Sequence, residues 1–262
     1  MTKPLQAGRL PRVSRNRQMV TGLAVSAALI VPWLVVHIAA VFFMPLSGVW
    51  LWLAPMIVAA QTVLSVGLFI VAHDGMHGSI APFRPALNRG IARFCLLIYA
   101  GFSFEALARE HMRHHAKPGT ADDPDYNFEN PHSFVAWYYG FFRYYFGLKE
   151  FGILTAILAV YVFVIGAPVA NLLLFWALPA LLSSLQLFYF GTYQPHRPID
   201  GVPFEDHHRA RSVDLPPVLS LLTCFHFGYH LEHHHHPTEP WWRLPAVRRA
   251  SLMAHNRKGH AT

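Results

Sequence analysis

Residues 224–245 read CFHFGYHLEHHHHPTEPWWRLP and carry a histidine motif that recurs elsewhere in the chain. Within this stretch, His230, His233 and His234 form an H-x-x-H-H triplet. Positions i, i+3 and i+4 of a helix share one face, so three imidazoles at this spacing can converge on one point. Neutral imidazole is the commonest metal ligand in proteins, and the triplet therefore predicts one part of a metal centre.

Two upstream segments carry histidines at the same helical spacings. A second H-x-x-H-H triplet spans residues 111–115, His73 and His77 lie one helical turn apart, and His196 follows in the sequence QPHRP. The complete set of candidate ligands is His73, His77, His111, His114, His115, His196, His230, His233 and His234. Nine ligands exceed the four of a zinc site, and they suit two metal ions with open positions for oxygen.

The other histidines of these segments are interpreted differently. His235 and His236 extend the last run to four histidines, but they are not assigned as ligands. His226, His207 and His208 are weaker candidates, which we expect beside the ligands or at the surface. The alternative interpretation is that every cluster belongs to a basic surface near lipid head groups. That reading leaves unexplained why three clusters fall on one side of the predicted topology.

The composition indicates a polytopic membrane protein. Of the 262 residues, 53% are hydrophobic and 13% are charged, against roughly 25% charged residues in an average soluble domain. No charged residue occurs between Gln18 and His73 or between Phe151 and His196. Each of these runs is long enough for two membrane spans of about 20 residues. The net charge of +7 fits a positive-inside topology better than nucleic-acid binding.

The charge pattern predicts an all-α integral membrane protein with four transmembrane helices in two hairpins. The expected spans are residues 19–44, 49–72, 150–166 and 169–190. Residues 94–104 are apolar but short and are predicted to form a re-entrant or interfacial helix. The strongly aromatic residues 134–146 are predicted to form an interfacial helix. The connections 45–48 and 166–168 contain no Lys or Arg, so all 21 basic residues lie on one side. This asymmetry predicts that both termini and the histidine-rich cap are cytoplasmic.

Carboxylates near the histidines are expected to support the metal centre. Ligation by histidine alone leaves the metal charge uncompensated, and a ligating imidazole usually donates its other N–H to an acceptor such as a carboxylate. The candidates are Asp74, Glu110, Asp122, Asp123, Asp125, Asp206 and Glu232. For residues 122–125, solvation of an acidic loop is the open alternative.

With these residues in view, the chain resembles the membrane fatty-acid desaturase and hydroxylase superfamily and, within it, the bacterial β-carotene ketolases. The resemblance covers residues 50–245. The segments that carry it are SVGLFIVAHDGMHGS at 65–79, GTADDPD at 119–125, QLFYFGTYQPHRP at 186–198, SLLTCFHFGYH at 220–230 and PWWRLP at 240–245. Acyl-CoA desaturases have an Asn where this chain has Thr192, so a water or no ligand is expected there. The related hydroxylases of the β-ring are shorter and have a wider first histidine spacing.

The resemblance implies a di-iron oxygenase. The nine histidines would hold two Fe²⁺ ions, with O₂ as co-substrate and electrons from a ferredoxin-type or other reductase partner. The residues implied to surround the ligands are Asp74, Asp122, Asp123, Asp125, Glu232 and His226. The implied organisation is a basic leader at 1–18, a single membrane di-iron oxygenase domain at 19–247 and a basic tail at 248–262.

The implied activity is carotenoid β-ring 4-ketolation. It would convert β-carotene via echinenone to canthaxanthin, and zeaxanthin towards astaxanthin, by two successive O₂-dependent hydroxylations at C4 and loss of water. The implied partners are carotenoids, the lipid bilayer and an electron-transfer protein, with no nucleic acid. The implied location is the bacterial inner membrane.

Two other functions remain open at this stage. A membrane di-iron fatty-acid desaturase or hydroxylase would share the metal site and differ in the shape of its pocket. A metal transporter or sensor would be expected to place polar ligands at mid-membrane within broken helices. Here the histidine clusters lie beyond the predicted span ends, and the predicted spans contain no acid apart from Glu150 at the start of one of them, which favours the oxidase.

Overall fold

The computed structural model describes residues 13–259, without the side chains of residues 255–259. The regular elements in this range are helices, as predicted. They are α1 Arg15–Phe43, α2 Trp50–Met76, α3 Pro85–Ala100, α4 Phe104–Ala116, α5 Phe134–Tyr145, α6 Leu148–Val164, α7 Val169–His196, α8 Pro217–Cys224, α9 His230–His235 and α10 Leu244–Gly259. π-Helical turns interrupt α1, α6 and α7, the last of them at Tyr189–Tyr193.

The N-terminal leader predicted at 1–18 lies largely outside the described residues. Its described part differs from the prediction, because α1 begins at Arg15 and not at the expected start of the span, Met19. The Ser14 side chain caps this helix by accepting a hydrogen bond from Arg17 N–H at 3.3 Å. The Arg15 guanidinium lies 4.2 Å from the centre of the Phe83 ring, which attaches the start of α1 to the segment after α2.

Three helices are long and apolar enough to cross a membrane. They are α1, α2 and α7, with 29, 27 and 28 residues, and they correspond to three of the four predicted spans. The third predicted span, 150–166, is the second limb of a bent pair, in which α6 turns by 70° from α5. With α3 and α4, bent by 102°, counted in the same way, the described chain has three to five candidate spans.

The outer faces of these helices carry large apolar side chains. Trp52 on α2 is 82% exposed and Phe163 on α6 is 86% exposed. Soluble monomers rarely expose extended apolar surfaces of this kind, whereas lipid-facing helices require them. Together with the long apolar helices, these surfaces identify an integral membrane protein.

Helix α2 is the centre of the bundle and packs against α1, α3 and α7. A Cβ atom on Gly75 would lie 2.5 Å from Ala92 Cβ, so α2 and α3 are in close contact between the positions of His73 and His77. The Asn88 side chain donates to Gly75 O at 2.6 Å and accepts from Ala81 N–H at 3.3 Å. Helix α3 therefore holds the histidine-bearing end of α2 in place.

The helix predicted over 94–104 is divided between α3 and α4. Helix α3 ends at Gly101, which adopts a left-handed φ of 69° and donates its N–H to Leu97 O at 3.0 Å. Ser103 then caps α4 by accepting from Ala106 N–H at 3.4 Å. A glycine in this conformation ends a helix and allows the chain to turn sharply. The turn brings α4, with its three histidines, against α2.

The segment that follows α8 places the last histidine triplet inside the protein. Phe225 and His226 both have positive φ, 47° and 63°, and reverse the chain before α9. The Glu232 carboxylate is buried and accepts a hydrogen bond from Arg248 Nη1 at 2.9 Å. Helix α10, which contains Arg248, runs across the domain boundary predicted at residue 247 and is linked to α9 by this ion pair.

Candidate metal centre

The structure gathers all nine candidate histidines into two groups. The five-histidine set consists of His73, His77, His111, His115 and His233. The four-histidine set consists of His114, His196, His230 and His234. Within each set, one ligand atom from every residue lies within 4.8 Å of the others. Each H-x-x-H-H triplet is divided between the two sets, a division that spacing alone did not predict.

In the five-histidine set, the ring nitrogens form a continuous series of close approaches. The Nε2–Nε2 distances are 2.8 Å from His77 to His111, 3.1 Å from His111 to His115 and 2.9 Å from His115 to His233. The His73 ring lies 4.5 Å from the His111 ring and 4.6 Å from the His233 ring, between centroids. Its Nε2 atom is buried and has no hydrogen-bond partner.

The ring nitrogens of the four-histidine set also lie close together. His234 Nε2 lies 3.2 Å from His114 Nε2 and 3.0 Å from His230 Nε2. The His196 ring approaches the His114 ring at 4.7 Å and the His230 ring at 4.9 Å. Its Nε2 atom is also buried without a hydrogen-bond partner. Each set therefore contains an Nε2 atom that protein groups leave unsatisfied, and in the four-histidine set the Nδ1 atoms of His230 and His234 are also without a partner.

These distances fit metal ligation. Two nitrogens bound at right angles to an ion, each about 2.1 Å away, would be about 3.0 Å apart. Burial lowers the pKa values of His230, His233 and His234 well below the usual value for histidine, and the charges of neighbouring imidazoles lower them further. These residues are therefore neutral at physiological pH, which is the form that binds metal. Imidazole suits iron, and five ligands exceed the coordination number of zinc.

Asp123 holds the outer side of His114. The His114 Nδ1–H group donates to the two carboxylate oxygens of Asp123 at 2.9 and 3.0 Å. Asp123 also accepts from the backbone N–H groups of Gly119 and Asp125, at 2.7 and 2.9 Å, which fixes the carboxylate. Asp125 lies 3.8 Å from His114 Nδ1 and accepts from the Tyr145 hydroxyl at 2.5 Å. Burial raises the pKa of Asp125.

For His196, a backbone carbonyl accepts the hydrogen bond of the outer ring nitrogen, as Asp123 does for His114. The His196 Nδ1–H group donates to Arg209 O at 2.7 Å. The Arg209 guanidinium in turn donates to Gly119 O at 2.6 Å, in the loop that carries Asp123. Arg209 therefore joins the outer supports of two members of the four-histidine set. Sequence reasoning missed this residue, because neither its type nor its spacing signals a contact made across 90 residues.

In the five-histidine set, the carboxylate beside His73 lies farther from the ring nitrogen than Asp123 does from His114. Asp74 Oδ1 lies 3.9 Å from His73 Nδ1, and its second oxygen accepts from Trp241 N–H at 3.2 Å. Glu232 contacts Ser212 and Arg248 and therefore anchors the α9 backbone segment between its neighbours.

Asp122 and Glu110, two other candidate carboxylates, form contacts away from the histidine nitrogens. Asp122 forms a surface ion pair with Lys117 at 2.5 Å. Glu110 pairs with Arg109 at 3.0 Å and accepts from the Tyr144 hydroxyl at 2.8 Å. The structure therefore does not bring Asp122 or Glu110 to the histidine nitrogens.

The His226 ring stacks on Tyr229 at 5.8 Å and lies 6.1 Å from Trp241, which places it beside neither set. Asp206 forms an ion pair with His235 at 2.6 Å, at the outer edge of the four-histidine set. Supporting roles for His226 and Asp206 at the metal centre therefore stay predictions.

A mainly apolar cavity reaches both histidine sets. Its lining includes His73 and His111 from one set and His114 and His230 from the other. Most of its remaining wall is aromatic or aliphatic, formed by Phe69, Tyr99, Phe102, Phe141, Phe142, Tyr145, Phe146, Leu187 and Phe188. Thr192, the position that differs from acyl-CoA desaturases, also lines it. The cavity suits a large hydrocarbon held next to the metal centre.

Phe227 lies between the two sets and was not identified from the sequence as a site residue. Its ring is 4.7 Å from the His73 ring and 5.4 Å from the His230 ring, between centroids. A Cβ atom on Gly191 would lie 2.3 Å from Phe227 Cε1, so the glycine provides the space that this ring occupies. The contact depends on the π-helical turn of α7, which has no recognisable signature in the sequence.

Helical spans, histidine clusters and an apolar cavity together define a membrane oxidase of the histidine-rich type. The sequence profile of the fatty acid desaturase family matches residues 58–156 and 151–261, and the chain belongs to this family. A β-carotene ketolase from Paracoccus sp. strain PC1 is 44% identical over 95% of this chain and 100% of its own length. A β-carotene ketolase from a second Paracoccus strain is 46% identical over 87% of this chain and 92% of its own length. The resemblance predicted from the motifs is confirmed.

A more distant relative extends the comparison to algae. A zeaxanthin 4-ketolase from Chlamydomonas reinhardtii is 34% identical over 89% of this chain and 54% of its own length.

Proposed function

We propose that this protein is a carotenoid β-ring 4-ketolase, an O₂-dependent di-iron oxygenase that converts the C4 methylene of β-carotene to a ketone. The observation that carries the proposal is the aromatic cavity that reaches both histidine sets. The similarity to β-carotene ketolases over most of the chain supports the choice of substrate. The similarity to a zeaxanthin 4-ketolase supports hydroxylated rings as further substrates.

The nine histidines are proposed as the iron ligands, with one Fe²⁺ in each set. Bound iron would supply the reduction and activation of O₂. The unpartnered Nε2 atoms of His73 and His196, one in each set, support this assignment. Asp123 and the Arg209 carbonyl would fix the tautomer of His114 and His196 by accepting their Nδ1–H groups, leaving Nε2 free for the ion.

The remaining residues of the site would bind and orient the hydrocarbon. The aromatic walls exclude water, and Phe227 limits how the ring is seated between His73 and His230. The C4 position is allylic, so its C–H bonds are weaker than those of a simple methylene. Placement of that carbon at the histidine end of the cavity accounts for the choice of position.

The proposed reaction requires two rounds at one carbon. Each hydroxylation consumes one O₂, two electrons and two protons, converts C–H to C–OH and releases one water. The second round gives a geminal diol, which loses water to leave the ketone. Each ring therefore consumes two O₂, four electrons and four protons and releases three waters. A ferredoxin-type or other reductase partner is proposed as the electron donor.

We further propose four spans in two hairpins, with both termini and the metal centre on the cytoplasmic side of the bacterial inner membrane. The absence of Lys and Arg from residues 45–48 and 166–168 supports this orientation. Residues 19–247 are proposed as a single oxygenase domain. The contact between Arg248 and Glu232 adds the start of α10 to that unit.

The test is expression in a bacterium that accumulates β-carotene, followed by chromatography and mass analysis of the pigments. The expected product gains one oxygen and loses two hydrogens per ring. A product that gains oxygen alone would identify a hydroxylase. Unchanged β-carotene together with altered fatty acids, in cells that supply iron and reductant, would favour the lipid desaturase or hydroxylase alternative.

A matched pair of variants ties the activity to the site. His233→Ala removes a proposed ligand, whereas His132→Ala removes an exposed histidine that belongs to neither set. We expect ketone formation to be lost in the first variant and retained in the second.

A further inference from the structure

A third group of side chains that could hold a metal ion lies outside the two histidine sets. Asp206, His207 and His208 each offer one ligand atom, and these atoms lie within 4.8 Å of one another. His235 joins them, because its Nε2 atom is 2.6 Å from Asp206 Oδ2. We refer to these four residues as the outer cluster. His207 is exposed, and the side chains of Asp206 and His235 are 27% and 26% exposed, so solvent reaches the group.

The outer cluster is held in shape by its own backbone. Asp206 Oδ1 accepts from His208 N–H at 2.9 Å, and Asp206 O accepts from Arg209 N–H at 3.2 Å. The resulting turn places the rings of His207 and His208 4.1 Å apart, between centroids. A carboxylate with neighbouring imidazoles is a suitable ligand set for divalent transition metals, including iron.

Imidazoles continue from this cluster into the four-histidine set. The His208 ring lies 5.1 Å from the His235 ring and 5.6 Å from the His234 ring. The His234 ring lies 4.7 Å from His230 and 5.0 Å from His114. His208 Nδ1 is buried and has no hydrogen-bond partner, so it is available to a ligand. Neighbouring rings thus lead from the exposed His207 to the buried His234.

A buried metal centre needs a route by which ions arrive. His196 and His230 are each 1% exposed and His234 is 3% exposed. The cavity that reaches both sets is lined mainly by apolar groups, which do not solvate a hydrated cation. A carboxylate at the surface attracts cations, and successive imidazoles can replace their water ligands one at a time. Four buried histidines would then hold the ion more firmly than the open outer cluster.

We propose that the outer cluster is a loading site, which captures a divalent metal ion from solvent and passes it by ligand exchange through His208 to the four-histidine set. The exchange involves no change of oxidation state. This inference rests on the proposed di-iron function and concerns how the centre is assembled, not how it reacts.

The test measures iron uptake by the full-length protein, purified in detergent micelles and stripped of metal. Fe²⁺ is added without oxygen, and tightly held iron per chain is followed over time after rapid desalting. The double variant His207→Ala/His208→Ala should load about ten-fold more slowly, the low end of what charge and ligand focusing contribute to an encounter rate. Its final iron content should equal that of the parent. His132→Ala is the control and should load at the parental rate.

The single variant His207→Ala tests the same route without touching a buried group. His207 is exposed, so its replacement is tolerated by the fold, and we expect slower loading with the parental final iron content. Titration with Co²⁺ provides a second readout, since the parent should bind one more readily chelated ion per chain than the double variant.

The outcomes distinguish the loading-site proposal from the di-iron proposal on which it rests. If the parent loads two irons and both variants load at its rate, the loading site is wrong and the di-iron proposal stands. If His207→Ala ends with less iron than the parent, the cluster holds metal permanently and the delivery route is wrong. If the parent itself retains no iron, the di-iron proposal falls and the loading site falls with it.

Discussion

The two histidine sets differ in what holds their outer nitrogens. In the four-histidine set, His114 donates to Asp123 at 2.9 Å and His196 donates to Arg209 O at 2.7 Å. In the five-histidine set, the adjacent carboxylate of Asp74 stays 3.9 Å from His73 Nδ1. Two members of the four-histidine set therefore have a close external acceptor, whereas the Nδ1 atoms of His230 and His234 have none. The difference indicates that metal binding by the four-histidine set depends more on how its ligands are oriented. Metal binding by the five-histidine set depends more on the number of its ligands.

The helices explain this division. Helix α2 contributes His73 to the five-histidine set and ends directly before His77, at an end that Asn88 of α3 holds through Gly75 O. The four-histidine set takes His196 from the very end of α7, where the chain leaves the helix. A ligand at a helix end has less support from its own element, so hydrogen bonds from the following loop take over that task. Arg209 lies in that loop.

The largest expected effect comes from removing one ligand from each set. His233 and His234 are neighbours on α9 but belong to different sets, so His233→Ala and His234→Ala disturb the same helix. Both should lower ketone formation by more than about 100-fold, since removing only a supporting partner costs 10–100-fold. His234→Ala should lose more iron, because three histidines remain in its set and four remain in the other.

Product analysis and iron content per chain measure both effects. Full activity with full iron in either variant would contradict the ligand assignment. Equal iron loss in the two variants would contradict the distinction between the sets while leaving the assignment intact.

The next effect tests the supports directly. Asp123→Asn replaces the carboxylate that accepts from His114, and Asp74→Asn replaces the more distant one beside His73. We expect Asp123→Asn to weaken iron binding in the four-histidine set by about 10–100-fold and Asp74→Asn to have a smaller effect on the other set. Competition with a chelator measures the loss. Asp122→Asn is the control, since Asp122 pairs with Lys117 at the surface. A larger effect of Asp74→Asn would reverse the comparison.

Much of this site could be predicted from histidine spacing. The i, i+3 and i+4 positions identified eight of the nine histidines that the structure brings together, and His196 was chosen for its place beyond the end of a predicted span. Their roles as ligands remain a prediction. The division into sets was not predictable. Three residues on one face of a helix can contribute to two different metal sites when that face lies between the sites. That is the case for His114 relative to His111 and His115, and for His233 relative to His230 and His234.

The fold was predictable to a similar extent. Long charge-free runs predicted the spans that appear as α1, α2 and α7, because apolar length is a local property of the sequence. The 102° bend between α3 and α4 was missed, because it depends on one left-handed glycine within an apolar run. The contacts of Arg209 and Phe227 join distant segments and follow only from the completed fold.

A third change should affect both sets equally. Gly191→Ala would place a methyl group 2.3 Å from Phe227 Cε1 and displace a ring that touches His73 and His230. Overpacking of this kind costs about 1–3 kcal/mol in the free energy of unfolding. We expect a lower unfolding temperature, reduced ketone formation and similar iron loss from the two sets. Gly90→Ala is the control, because nothing lies within 4 Å of its added Cβ. Iron loss confined to one set would show that Phe227 supports only that set.

The smallest effect isolates the contribution of Arg209. Arg209→Gln keeps the backbone carbonyl that accepts from His196 and removes the guanidinium that donates to Gly119 O. Iron should leave the four-histidine set about two- to ten-fold faster, the equivalent of one net hydrogen bond, and the five-histidine set should not change. Arg211→Gln is the matched control, since Arg211 binds Arg197 O and Val202 O in the same loop. Faster iron release in both Arg209→Gln and Arg211→Gln would assign the effect to general loosening of the loop. Release confined to Arg209→Gln would show that the four-histidine set depends on a support that connects two loops.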